Sequence, residues 1–191
     1  MKKSVFDKIA RVMMVAMMAT MCMTFMTACG DSDDDPLENN NPANNGGNGG
    51  GQISQNGVVY PNLWTTFGAS YDTVVDYAKS NGFKVEEEMS SLEYVYLYNA
   101  KQNITLVYHF DWNGDVSKMK RLYVYWADTS LGDAVWIKGE VEKAFKVTLS
   151  GDADFEEVNM NAWSHIDSKM SLVLTYVPGS SVTMLMLYGG M

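Results

Sequence analysis

The chain has 191 residues, with 14 Lys and Arg against 23 Asp and Glu, and 47% of its residues are hydrophobic. A net charge of −9 disfavours nucleic acid or an anionic membrane surface as an electrostatic partner. Both cysteines, Cys22 and Cys29, lie near the amino terminus, so the body of the chain must be held together by packing without a disulfide.

Residues 1–28 have the layout of a secretory signal sequence. A positive start is followed by an apolar run over 12–28 that only threonines interrupt, the basic residues being Lys2, Lys3, Lys8 and Arg11. A membrane-spanning helix is the alternative, but this run is at the short limit of the roughly 17 to 25 residues needed to cross a bilayer. We therefore expect residues 1–28 to be removed.

Cys29 follows the apolar run directly. A small residue, Ala28, before a cysteine at this place resembles the lipobox of bacterial lipoproteins, with Met26 in place of the usual leucine. The resemblance implies that Cys29 becomes the first residue of the mature protein and carries a diacylglycerol on its sulfur and an acyl chain on its amino group. Several acyl chains anchor a protein firmly, whereas one binds only marginally. The alternative is a plain secreted protein with an unused thiol.

A polar stretch connects Cys29 to the rest of the chain. Its segment Ser32-Asp33-Asp34-Asp35 resembles an export signal that, in one Gram-negative lineage, sends lipoproteins to the outer face of the outer membrane. The alternative is an ordinary solvated tether. Residues 30–51 are nearly all Asn, Gly, Asp and Pro, too polar to form a core, and about 22 such residues span roughly 25 Å as a coil. We expect residues 29–51 to be a flexible tether.

Residues 52–191 are expected to form one domain of common size. Removing residues 1–28 takes four of the 14 basic and one of the 23 acidic residues, which leaves 10 and 22 and a net charge of −12. The domain itself keeps 10 basic and 17 acidic residues, a net charge of −7. Nucleic-acid binding is therefore disfavoured for the mature chain as well.

The first half of this domain predicts one helix and three strands. Ser70 is a suitable N-cap for a helix over 70–80, and Asn81-Gly82 is a stop signal. Alternating β-branched and aromatic residues predict strands over 94–98, 104–111 and 119–126. Asn113-Gly114, between the last two strands, is typical of a hairpin turn.

The second half predicts the same order of elements. Thr129 or Ser130 can cap a helix over 131–145. Strands are predicted near 157–164 and over 171–177 and 182–188, and Pro178-Gly179 suits a type II turn between the last two. The candidate core positions on the helix are Val135, Trp136, Val141, Ala144 and Phe145.

A helix and a three-stranded meander therefore occur twice, in repeats of about 63–127 and 128–191. Phe145-Lys146-Val147 also echoes Phe83-Lys84-Val85, 62 positions earlier. The predicted fold class is α+β, an antiparallel sheet with the helices on one face. This order resembles the tandem-repeat folds of β-lactamase-inhibitor-like proteins and small outer-membrane-assembly lipoproteins, and the PepSY-like domains of bacterial lipoproteins. The resemblance implies a binding role.

Tyrosines are concentrated on one side of the predicted sheet. If the helices cover the aliphatic side of the strands, alternation places seven candidate binding residues on the other side: Tyr94, Tyr96, Tyr98, His109, Arg121, Tyr123 and Tyr125. Exposed tyrosine and arginine are typical of interface hot spots, although tyrosine is also an ordinary strand former on a half-solvated surface. The hypothesis is that this face binds a protein or a glycan.

Catalytic and metal-binding motifs receive little support from the sequence. His109 and Asp111 share a strand face and His165 lies far along the chain, but no serine or cysteine has the setting of a nucleophile. The spacing of a calcium loop begins twice but lacks the glycine and the final glutamate both times, at Asp111, Asn113 and Asp115 and at Asp152, Asp154 and Glu156. We expect no catalytic residue, metal or cofactor.

Taken together, these features predict a lipoprotein that is lipid-anchored in the outer membrane through Cys29 and faces the cell exterior. Its domain is expected to be a non-catalytic binding module. The first alternative is an inhibitor or assembly factor for another envelope protein, and a hydrolase is a weaker one.

Overall fold

The structure, a computed structural model, describes residues 53–113, 116–151 and 160–189. The predicted signal sequence, Cys29 and the tether over 29–51 lie outside the described residues. So do the first positions of the strand predicted near 157–164. Within the described ranges, no helix is long and apolar enough to cross a membrane.

The described residues contain two helices and nine strands. The helices are α1 (Tyr71–Ser80) and α2 (Leu131–Phe145). The strands are β1 (Ile53–Gln55), β2 (Val58–Tyr60), β3 (Lys84–Val85), β4 (Tyr94–Asn99), β5 (Ile104–Asn113), β6 (Val116–Ala127), β7 (Asn161–Ile166), β8 (Met170–Val177) and β9 (Val182–Gly189).

Strands β3 to β9 form one antiparallel sheet, in which the strand order is β3-β4-β5-β6-β9-β8-β7. Each half of the chain contributes a meander, and the last strands of the two meanders, β6 and β9, pair at the centre. Strands β1 and β2 form a separate hairpin. The antiparallel sheet and two helices confirm the α+β class.

Both helices pack on the same face of the sheet, which we call the first face. Their apolar side chains belong to one core cluster with the inward-pointing residues of β4, β5, β6, β8 and β9. Helix α1 contributes Val74, Val75 and Ala78. The predicted aliphatic side of the sheet is confirmed, since all seven of its residues are at most 1% exposed: Val95, Leu97, Ile104, Leu106, Leu122, Val124 and Trp126.

Helix α2 begins where the sequence predicted, and its cap is Ser130 rather than Thr129. The Ser130 hydroxyl accepts the N–H of Asp133, and the Asp133 carboxylate accepts the N–H of Ser130 at 2.9 Å, which completes a capping box. The prediction that Val135 is a core residue is wrong, because Val135 is 53% exposed. The buried stripe runs instead through Ala134, Ile137 and Val141, about a third of a turn away.

The hairpin turns differ in how well the sequence predicted them. Asn56 and Gly57 both have positive φ and connect β1 to β2, a hairpin that the sequence analysis missed although Asn-Gly is its usual signature. The β5–β6 hairpin is confirmed, but Asn113 pairs with Val116 and so lies in the strand. Strands β1 and β2 have three residues each, too few for alternation to predict them, so the Asn-Gly turn was the only signal of this hairpin.

The prediction of a type II turn after β8 is wrong. Pro178–Ser180 forms a single 3-10 turn, and Ser181 rather than Gly179 takes the left-handed conformation, with a φ of 53°. The Ser181 N–H donates to the Pro178 carbonyl oxygen. Proline fixes a φ that suits either turn, so the residue pair alone did not distinguish them.

The repeated Phe-Lys-Val tripeptide occupies two different local structures. Lys84 and Val85 form strand β3, whereas Phe145 ends helix α2 and Lys146 is its left-handed C-cap. The left-handed residue after α1 is Gly82, one position before Phe83. The two tripeptides are therefore out of step by two residues and do not occupy equivalent positions.

Candidate binding site on the second face of the sheet

The seven candidate binding residues all lie on the face opposite the helices, which we call the second face. Pairing between β4, β5 and β6 aligns them in three rows: Tyr94, His109 and Arg121; Tyr96, Val107 and Tyr123; and Tyr98, Thr105 and Tyr125. Neighbouring rows are two residues apart along each strand, so alternation keeps them on one side.

Strand β9 extends each row. Tyr188, Met186 and Met184 are the partners of Arg121, Tyr123 and Tyr125 in turn. Sequence reasoning missed Tyr188, although alternation along 182–188 groups it with the two methionines. What it could not supply was the pairing of β6 with β9, which brings Tyr188 beside Arg121 across 67 positions of the chain.

Exposure divides the second face into a buried centre and an accessible rim. Tyr125, Met184 and Met186 are only 3–4% exposed, and Val173 on β8 is 6% exposed. The expectation that Tyr125 is available to a partner is therefore wrong. Its place in the middle of the sheet, between β5 and β9, surrounds its ring with neighbours. Arg121 is exposed, and the remaining candidates are half-buried: Tyr94, Tyr96, Tyr98, His109 and Tyr123.

Five rim residues form a connected group, which we call the tyrosine–arginine corner: Tyr94, His109, Arg121, Tyr123 and Tyr188. The rings of Tyr94 and His109 stack with centroids 4.5 Å apart. The Arg121 guanidinium carbon lies 5.2 Å from the centroid of the Tyr188 ring, within the range of a cation–π contact. Tyr123 meets Tyr188 edge to face at 6.2 Å. Each ring is thus held by another side chain.

Arg121 carries the charge of the corner, and the carboxylates of Asp111 and Glu93 lie close enough to act on His109. Burial and the neighbouring Arg121 charge lower the pKa of His109, so the imidazole is neutral at pH 7. Burial raises the pKa of Tyr94 and Tyr188, which keeps their hydroxyls protonated. Arginine is always charged. The corner therefore offers one permanent cation among neutral hydrogen-bonding groups.

A β-bulge adjoins the corner. The pairing of β5 with β6 shifts between His109 and Phe110, so that His109 opposes Arg121 but Phe110 opposes Met119. The extra residue, Lys120, makes a 3.2 Å ion pair with Asp111. Bulges occur next to functional sites because they change the direction of side chains.

Tyr98 stands apart from the corner, at the other end of β4. Its hydroxyl donates to the Asn103 side-chain oxygen at 3.2 Å, and the Asn103 amide donates to Asp128. These bonds hold the β4–β5 turn against the end of β6. Tyr98 therefore has a structural role at this end of the sheet.

The possible catalytic residues do not meet. His165 lies on edge strand β7, paired with the core residue Leu172, and its Nε2 is 3.2 Å from Asp167. His109 is on β5 and on the other face, four strand spacings or about 19 Å across the sheet. Asp111 is engaged with Lys120. In the described ranges, no cluster of three or more His, Cys, Asp or Glu side chains could hold a metal ion.

A groove of about 860 Å³ lies away from the second face, between α1 and the loop after β3. Its floor is apolar, with Val75, Phe83 and Val85, and its rim carries both acidic and basic side chains, including Asp76 and Lys79. Charges of both signs leave it without a net preference for a ligand.

Comparison with known proteins adds no relative to this description. No family model, no curated protein and no solved structure matches the chain.

Proposed function

We propose that the domain is a binding module and that its second face recognises a protein partner. The observation that supports this most directly is the tyrosine–arginine corner, on the side of the sheet opposite both helices. In it, one pair of rings lies beside an exposed arginine that contacts a second pair. Tyrosine, methionine and arginine are enriched in protein interfaces, and tyrosine and arginine are common among the hot spots that supply most of the binding energy.

The width of the second face is close to that of one side of a protein interface. Six strands from β4 to β7 lie side by side, and five spacings of about 4.8 Å make the face about 24 Å wide. A stable interface uses about 800 Å² on each partner, a patch about 28 Å on a side. An inhibitor or assembly factor for another envelope protein would use the same surface.

We also propose that the protein is a lipid-anchored lipoprotein of the outer membrane that faces the cell exterior. The support is the signal sequence, the lipobox-like Cys29 and the acidic segment after it. The chain enters the described domain through the β1–β2 hairpin, which packs on the first face, where Val59 accepts the indole N–H of Trp126.

We infer that the domain arose by duplication of a unit consisting of a helix and three strands. The support is the order of the sheet, β4-β5-β6 followed by β9-β8-β7, in which each meander starts at an edge and ends at the centre. Antiparallel pairing of β6 with β9 relates the two meanders by an approximate two-fold axis through the sheet. Short edge strand β3 is then an addition to the first unit.

The test of the binding function is a pull-down from envelope extracts with the mature protein as bait. Replacing Tyr96 and Tyr123 by serine removes two rings from the same row of the rim. We expect capture of a stoichiometric protein partner by the unmodified bait and its loss, by tenfold or more, in the double variant. A glycan array run with the same proteins separates the two ligand classes.

The matched control removes exposed apolar surface from the helix side. Leu131 and Val135 on α2 are 45% and 53% exposed, and changing both to serine should leave capture unchanged. The melting temperatures of all three proteins should agree within a few degrees. Equal capture by the tyrosine variant and the unmodified bait would refute the assignment of the second face, and retention on a glycan alone would replace the protein partner.

A further inference from the structure

We propose that the tyrosine–arginine corner is a carboxylate-binding subsite and that Arg121 holds an Asp or Glu side chain of the protein partner. This rests on the proposed function, because the partner supplies the carboxylate. The subsite is assigned from the pairing, contacts and charges of three residues of the corner, Arg121, Tyr188 and His109.

Arg121 is the single arginine after residue 28, in a domain with 17 acidic residues. It is nevertheless exposed, and none of the carboxylates of the described residues lies within 4 Å of its guanidinium nitrogens. Since Arg121 forms no ion pair with the described carboxylates, its guanidinium keeps its capacity for an external anion with respect to them. A guanidinium presents N–H donors in a planar fork that matches the two oxygens of a carboxylate.

Tyr188 and Tyr123 restrict the motion of Arg121. The guanidinium lies over the Tyr188 ring, and Tyr123 meets that ring edge to face. Contact with an aromatic ring occupies the flat side of the guanidinium and leaves its N–H groups, which lie in its plane, for a ligand. Because this contact already limits the positions of the side chain, binding loses less rotamer freedom.

His109 places a neutral ring opposite Arg121 in the pairing of β5 with β6. Its ring is stacked on Tyr94, and its Nδ1 is buried with no hydrogen-bond partner among the described residues. Because Nδ1 is buried, it is out of reach of an external ligand, and the contribution of His109 is the ring that stacks on Tyr94 beside the cation.

The local charge selects a monoanion. Besides Arg121, the nearest cation is Lys120, and its charge is offset by the Asp111 carboxylate 3.2 Å away. Glu93 also lies close enough to influence His109, so two cations and two carboxylates balance around the corner. The Arg121 fork matches a carboxylate with a single negative charge, whereas phosphate carries up to two at neutral pH and would require further cations.

The test is an NMR titration of the chain from residue 29 to 191 with Cys29→Ser, so that no lipid is needed. The probe is sodium acetate at pH 7, and the signals followed are the Arg121 side-chain Nε–H and the backbone amides of His109 and Tyr188. We expect saturable shifts with a millimolar Kd. Sodium chloride at equal ionic strength should give none, and sodium phosphate should bind at least threefold more weakly than acetate.

Three variants make the assignment specific. Arg121→Gln should abolish the acetate response, Tyr188→Phe should preserve it because the ring remains, and Tyr188→Leu should weaken it about threefold or more. A response that persists in Arg121→Gln, or that chloride reproduces, would overturn the subsite. Tighter binding of phosphate than acetate would overturn the choice of a carboxylate.

The pull-down tests the proposed function and the acetate titration tests the carboxylate subsite, and either can be refuted without the other. If acetate binds but no envelope protein is captured, the proposed function fails while the carboxylate site remains. If a partner is captured through Tyr96 and Tyr123 but Arg121→Gln captures it equally well and acetate does not bind, the subsite alone is refuted.

Discussion

Among the described glycines, Gly189 at the end of β9 has the least room for a side chain. A Cβ built there would lie 2.7 Å from Cγ of Phe67 and 3.1 Å from both Cδ atoms of the same ring. Contacts under 3.0 Å are not tolerated, so a larger residue forces the ring or the strand to move. The Phe67 ring, in the segment before α1, therefore occupies the space that a side chain on Gly189 would need.

We expect Gly189→Ala to destabilise the domain by about 1–3 kcal/mol, the usual cost of overpacking, as measured by urea unfolding. The control is Gly179→Ala, where no atom lies within 4 Å and φ is not positive, and its change should stay within about 0.5 kcal/mol. In a Phe67→Ala background the cost of Gly189→Ala should fall below half. An equal cost in both backgrounds would show that Phe67 is not the cause.

Single positions also show what alternation can and cannot predict. It placed seven candidate residues on one face, and the pairing of β4, β5 and β6 shows them there. It did not distinguish Tyr125, which is 4% exposed, from Tyr123, two positions earlier and half-buried. The side on which a residue points is a local property, whereas its burial depends on neighbours from distant strands.

Among the helices and strands, the end of α2 is secured by one side chain. The Glu142 Oε1 accepts from the Lys138 ammonium at 2.7 Å and from the Leu149 N–H at 2.8 Å. Leu149 is 3% exposed, so this carboxylate connects the last turn of the helix to a buried residue on the way to β7. The hydrogen bond from Lys138, with that from Leu149, lowers the pKa of Glu142.

Because the pKa of Glu142 is lower in the folded state than in the unfolded chain, its contribution to the free energy of unfolding decreases as the pH falls. The unfolded chain binds a proton at Glu142 more readily, so the contribution is complete above the ordinary glutamate pKa of about 4.3 and is lost as pH falls through the folded value. We expect Glu142→Gln to cost about 1 kcal/mol at pH 7. The gap between the two proteins should close below about pH 4 in urea unfolding measured across pH.

The control for Glu142→Gln is Glu88→Gln, because Glu88 is exposed in the loop after β3. Its stability should match the unmodified protein within about 0.5 kcal/mol at every pH. A difference for Glu142→Gln that stayed constant from pH 7 to pH 3 would mean that lost packing, rather than lost charge, is responsible.

The positions of most helices and strands could be predicted from the sequence. Helix α1, helix α2 and strands β4, β5, β8 and β9 lie within two residues of their predicted positions, because capping and alternation act over a few residues. The predicted core side of α2 was wrong at Val135, because Gly132 and Gly139 interrupt the pattern of apolar residues along that helix. Strand β3 has two residues and no pattern long enough to detect.

At the scale of the whole molecule, the proposal that Cys29 carries a lipid predicts where the protein is found. We expect Cys29→Ser to move the protein from the detergent phase to the aqueous phase in a detergent partition of cell extracts, because the proposed acyl chains would be lost. The melting temperature of the domain should not change, since residues 53–189 contain no cysteine.

Cys22→Ser is the matched control for the anchor, because Cys22 lies within the predicted signal sequence and should leave with it. This variant should remain in the detergent phase, and mass spectrometry should show the mature amino terminus at residue 29 with its lipid. A native protein whose unmodified chain extends upstream of Cys29 would exclude the lipoprotein assignment.

The sequence by itself determined the features that short stretches encode: the signal-like run, the helix caps, the alternating strands and the side of the sheet on which each tyrosine points. Only the tertiary structure decided that β6 pairs with β9, that Tyr188 contacts Arg121, and that the methionines of β9 are buried at the centre of the second face. The physical reason is that caps and alternation act within a few residues. The pairing of two strands about 60 positions apart is settled by the packing of the whole sheet.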